Sequence, residues 1–126
     1  MILIDTDVLI WYMRGNKKAF GLIEGLNEFF ISTVTYIELV QGMKNKNELR
    51  ELRKALRNWD TKILFISEEI SIKAMFFVER FYLSHSLMLA DSLIAATALA
   101  NGLPLLTGNG KHYDMIKDLE TKIFKP

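Results

Sequence analysis

Short apolar runs, each ended by a polar turn, alternate along this chain with longer segments of helical periodicity. Residues 1–4 are apolar and stop at Asp5-Thr6-Asp7, which predicts a buried strand, and 8–14 continue as a helix. A second helix is expected over 17–26, a second strand over 28–32 (EFFIS) and a third helix over 35–43, ending near Gly42. Residues 47–59 form the most amphipathic segment. Leu49, Leu52, Leu56 and Trp59 share one face, while Arg50, Arg53, Lys54 and Arg57 gather opposite them. A third strand follows over 62–66. Ser67, with Glu68 and Glu69 behind it, has the chemistry of an N-cap for a helix reaching about Tyr82. The remaining elements are a helix over 89–100 stopped by Asn101-Gly102, a strand over 103–107, a helical turn over 112–117 and a last strand over 122–124.

Strands alternating with helices imply an α/β fold, a parallel sheet covered on both faces. Ligands in such folds bind beyond the carboxyl ends of the strands, where the winding reverses. Asp5 closes the first strand and Thr107 to Asn109 close a later one, so both belong to that edge. The 126 residues fit one domain, and half are hydrophobic, enough for a core. Cysteine is absent, which removes disulfides and thiolate-bound zinc and fits a reducing compartment. No basic lead-in marks a secretory signal, and the longest apolar stretch, 87–106, is broken by Asp91, Asn101, Gly102 and Pro104. A soluble cytoplasmic protein is the expectation.

The candidate chemistry lies in three acids that interrupt apolar runs: Asp5 in MILIDTD, Glu38 in TYIELVQG and Asp91 in LMLADSLIAATALA. A charge among buried side chains costs several kcal/mol unless it is paired, neutralised or bound to a cation. No basic residue stands beside any of them, which points to a shared metal ion. Each also has a plainer reading. Either Asp5 or Asp7 can cap the following helix, although a cap needs only one acid. Thr35 and Glu38 fit a capping box. Asp91 suits the first turn of its helix, but the positions sharing its stripe, Ala95 and Ala98, offer it no hydrogen bond. Asn109, in TGNGK, and Thr107 are ordinary turn and strand residues when taken alone. His85 and His112 lack metal-ligand spacing and read as surface residues, with His112 a candidate to assist at the site.

Together ILIDTDVLI at 2–10, TYIELVQG at 35–42, LADSLIAATALANGLPLLTGN at 89–109 and KHY at 111–113 resemble the PIN-domain family, and within it the small VapC-type toxins of toxin–antitoxin pairs. The pieces cover about a third of the chain, but their order and spacing span nearly all of it. The resemblance implies a three-layer α/β/α sandwich and metal-dependent endoribonuclease activity. It also implies a homodimer, a cognate antitoxin that blocks the site, and an acidic site of Asp5, Glu38, Asp91 and Asn109. Asn109 departs from the fourth acid that many members carry there. With hard oxygen donors and no cysteine, Mg²⁺ or Mn²⁺ is the expected cofactor, held by Asp5 and Asp91. Glu38 would act through water or orient the nucleophile, with Asn109 and Asp7 in support.

Two further patterns bear on partners. Residues 44–62 hold seven basic residues against three acids, so the net charge of +1 hides a basic segment suited to phosphate contact, or simply a solvated face. Helix 68–82 carries Met75, Phe76, Phe77, Val78, Phe81 and Tyr82, more apolar surface than one buried stripe needs, which predicts a dimer or partner contact. Two rival functions stay open. ILIDTDV also fits the apolar strand and D-x-D of a haloacid-dehalogenase-like phosphatase, with Asp5 as nucleophile and Asp7 as acid. That scheme wants a downstream lysine and paired acids near the final strands, where Asp91 stands alone at a helix start, and the chain is short for it. A non-catalytic RNA-binding or interaction domain with a decayed site is the reading that neutral Asn109 favours.

Overall fold

A computed structural model describes the whole chain, residues 1–126. Five short parallel strands, β1 (Leu3–Ile4), β2 (Phe30–Ser32), β3 (Lys62–Leu64), β4 (Leu105–Thr107) and β5 (Thr121–Ile123), lie in the order β3-β2-β1-β4-β5. The chain winds outward from β1 through β2 to β3, then returns to the other side of β1 for β4 and β5. The winding therefore reverses between β1 and β4, where the carboxyl ends of adjacent strands diverge and leave a crevice. Backbone bonds pin that seam: the amide of Asp5 donates to the carbonyl of Leu106 at 2.9 Å.

Six helices cover the sheet: α1 (Thr6–Met13), α2 (Lys17–Glu24), α3 (Thr33–Gln41), α4 (Lys46–Asn58), α5 (Glu68–His85) and α6 (Leu89–Ala100). Alternate side chains of each strand point to opposite faces. Ile2, Ile4, Phe29, Ile31 and Leu106 join Val8, Leu9, Ala19, Ile23 and Leu52 in one core layer under α1, α2 and α4. Leu3 and Leu105 join Leu87, Ile94, Ala95, Ala98 and Tyr113 in the other, under α5 and α6. The expected α/β/α sandwich around a parallel sheet is the observed one. No helix is long and apolar enough to cross a membrane.

Local chemistry sets the helix ends. Ser67 caps α5 as expected, its hydroxyl accepting from the Ile70 amide at 3.2 Å. That helix runs three residues past the expected Tyr82, because nothing breaks it before Ser86, which takes the left-handed conformation at φ 56°. There the Leu87 amide reaches back to the Phe81 carbonyl, and buried Leu87 packs beneath. Two expectations need correction. The third helix starts at Thr33, not Thr35: the hydroxyl of Ser32 accepts from the Val34 amide, leaving Thr35 fully buried inside the helix. The late helical turn is a 3₁₀ turn at Gly110–His112 rather than 112–117, because the Asn109 carbonyl already accepts from His112.

Candidate active site at the carboxyl edge of the sheet

Asp5 follows β1 directly and is 6 % exposed. Its Oδ1 accepts from the Thr6 amide at 2.8 Å, so it caps α1. Its Oδ2 takes two hydroxyls, Thr107 from β4 at 2.8 Å and Tyr113 at 3.0 Å. One side chain thus does both jobs proposed for it, helix cap and strand-end acid. Burial, and then the charge of Asp7, push its carboxyl up to about 6, against the pull of those three donors.

Asp91 lies in the first turn of α6, half-buried. Its Oδ1 is 3.3 Å from the Tyr113 hydroxyl and its Oδ2 3.3 Å from His112 Nδ1. Burial raises its pKa, and the His112 charge and the Tyr113 hydroxyl lower it. Tyr113 is therefore the bridge between Asp5 and Asp91, 1 % exposed, with one phenolic proton to share between two carboxylates. Burial and those two charges raise its own pKa.

Glu38 reaches the same edge from α3. The Thr6 hydroxyl donates to its Oε1 at 2.7 Å and lies 3.0 Å from the Thr35 hydroxyl. The capping-box reading of Thr35 and Glu38 fails, since Ser32 is the cap, Thr35 lies within the first turn and Glu38 bonds across to α1. Asn109 does not touch Asp5 or Asp91 by hydrogen bond. Its Nδ2 donates to Asp7 Oδ2 at 3.0 Å, and the Gly108 amide donates to the same oxygen at 2.9 Å. The pKa of Asp7 is raised by burial and lowered by backbone donors and by His112. His85 stays apart, bonded only to its neighbour Ser84.

Asp5, Glu38 and Asp91 are thus drawn from three distant segments to one edge, but hydroxyls of Thr6, Thr107 and Tyr113 interleave them. As they stand, no three acids or imidazoles form a group tight enough to hold a metal ion. The chemistry of the donors nevertheless suits a hard divalent cation: every ligand atom is oxygen, Asp5 is buried without a cationic partner, and Asp7 Oδ1 is buried with no hydrogen bond at all. The sequence pattern missed Thr6 and Tyr113. A lone tyrosine after TGNGKH reads as core packing, and only the three-dimensional position of its hydroxyl shows otherwise.

A family model described as PIN domain matches residues 2–117. The ribonuclease VapC10 of Mycobacterium tuberculosis is 34 % identical over 130 residues, covering 100 % of this chain and 96 % of that protein. The ribonuclease VapC1 of Methanocaldococcus jannaschii is 30 % identical over 125 residues, covering 98 % and 86 %. Among solved structures, a toxin–antitoxin complex from Klebsiella pneumoniae superposes with a TM-score of 0.81 at 28 % identity, covering 98 % of this chain and 100 % of that one.

Proposed function

The chain belongs to the PIN-domain family, and from that premise we propose that it works as a VapC-type endoribonuclease, the toxin of a toxin–antitoxin pair, through the acidic edge where β1 meets β4. Metal-dependent hydrolysis of an RNA phosphodiester is the reaction. The whole chain acts as one nuclease domain, in the cytoplasm, and an antitoxin is its partner. The observation that carries this reading is the Tyr113 hydroxyl, within 3.0 Å of Asp5 and 3.3 Å of Asp91, which gathers acids 86 positions apart at one strand end.

Asp5 and Asp91 would hold the cation, Mg²⁺ or Mn²⁺ by donor type. Bound there, it supplies Lewis acidity toward the scissile phosphate and a water acidic enough to attack at neutral pH. The rest of the work belongs to the chain. Thr107 and Tyr113 fix the Asp5 carboxylate, as outer partners of metal ligands do. Glu38, tethered by Thr6, orients the attacking water. Asn109 acts through Asp7. Arg50, Arg53, Lys54 and Arg57 gather on α4 around the single carboxylate of Glu51, a net basic face fit for RNA phosphates.

Incubation of the purified chain with structured RNA tests the reading. Cleavage is expected with Mg²⁺ or Mn²⁺, is abolished by EDTA, and falls at least about 100-fold in a folded Asp91→Asn variant. RNA binding without cleavage under every metal condition overturns it, as does release of phosphate from small monoesters with RNA left intact.

A further inference from the structure

One acid at this edge is held more firmly than a helix-start residue requires. Asp7 Oδ2 accepts from the Gly108 amide at 2.9 Å and from Asn109 Nδ2 at 3.0 Å. The backbone comes so near that a Cβ at position 108 would stand 2.6 Å from that oxygen, so only glycine leaves room. The other oxygen is treated in the opposite way. Oδ1 is buried and makes no hydrogen bond, although the amides of Asp7 and Val8 lie close enough to favour the carboxylate's charge. Asp7 is not the cap of α1, because Asp5 fills that role. A first-turn acid is favoured by the helix dipole when its carboxylate is solvated, and that gain does not explain burying a bare oxygen.

The surroundings say what would satisfy it. The charge of Asp7 acts on Asp5, and His112, which contacts Asp91, acts on Asp7, so the three acids share one field. No further N–H or O–H bonds to Oδ1. A hard cation would meet that oxygen's need where no donor does. We propose that Asp7 is a metal-holding acid of this site, presenting Oδ1 to the cation while Gly108 and Asn109 grip Oδ2. This rests on the reading of the chain as a metal-dependent nuclease. It assigns to Asn109 an indirect role, positioning Asp7 by one hydrogen bond.

The two contacts on Oδ2 determine what an amide at position 7 would present. In Asp7→Asn the donors Gly108 and Asn109 keep the side-chain carbonyl at the Oδ2 place, so the new NH₂ group takes the place of Oδ1 and offers a cation no lone pair. Mn²⁺ binding to the full chain is measured by calorimetry and by paramagnetic resonance of free Mn²⁺, with no RNA present. Asp7→Asn is expected to weaken binding about 10-fold or more. Asp7→Ser carries the same expectation should the Asp7→Asn variant fold poorly. Wild-type Mn²⁺ affinity in a folded Asp7→Asn variant overturns the inference. Asp5→Asn and Asp91→Asn separate the two levels. Undiminished Mn²⁺ binding in those variants sinks the nuclease reading itself, whereas its loss there with Asp7→Asn unaffected sinks only the role of Asp7.

Discussion

Asp5 carries a cost that its three donors do not cancel. Its carboxyl, pushed up to about 6 by burial, binds a proton in the folded state that the unfolded chain has already released above about pH 4. Between those values the native state holds more protons, so stability falls as pH rises through the window and stays lowered above it. The rise from the ordinary aspartate value corresponds to up to about 3 kcal/mol. In metal-free protein, Asp5→Asn is therefore expected to raise stability to denaturant at pH 8, with little change at pH 4, and to flatten the profile between. The carbonyl of the new side chain can keep the Thr6 amide while its two amide hydrogens reach Thr107 and Tyr113, whose hydroxyls turn to accept. A variant less stable than the parent at pH 8 contradicts this account. The strain of a buried anion was legible from its setting in MILIDTD. The phenol that shares its proton with Asp91 was not, because Tyr113 lies 108 positions away and its local pattern resembles core.

At the scale of elements, the loop after β4 matters more than its length suggests. Thr107, Gly108 and Asn109 each send a hydrogen bond to an acid that follows β1. Gly108 and Gly110 sit two residues apart and look alike in TGNGK, yet their surroundings differ. A Cβ at 110 meets chiefly the end of the Ile123 side chain, which can turn away, whereas at 108 it meets a carboxylate fixed by two donors. Gly108→Ala is expected to cost about 1–3 kcal/mol and to weaken Mn²⁺ binding, while Gly110→Ala is expected to leave Mn²⁺ binding near the parental value. Equal effects in thermal melts and metal titrations would remove the distinction. Helix boundaries followed from local signals wherever a cap stood clear, as at Ser67 and at Asn101-Gly102. They slipped at α3, where Ser32 and Thr35 are both capable caps and only the end of β2 decides between them.

The molecule as a whole leaves one apolar face uncovered. Ile72, Met75, Phe76 and Leu83, spaced along one side of α5, are all more than half exposed, and Leu83 is 93 % exposed. The apolar surplus of this helix predicts a dimer or partner contact, and a second copy packing there would form the homodimer that the family resemblance implies. Light scattering on the purified chain is expected to give twice the monomer mass, and Leu83→Glu to shift it to the monomer without altering Mn²⁺ binding. A monomeric parent refutes this arrangement. What residue order alone determined was the alternation of strands and helices, hence the parallel sheet and the carboxyl edge where the acids collect. It also determined which acids stood uncompensated among apolar neighbours. Both are local properties, encoded in periodicity and in the cost of burying charge. Tertiary structure alone decided that Thr6 would tether Glu38, that Tyr113 would join Asp5 to Asp91, and that Asn109 would serve Asp7. Hydrogen bonds between residues tens of positions apart depend on how strands register and helices cross, and no local pattern carries that information.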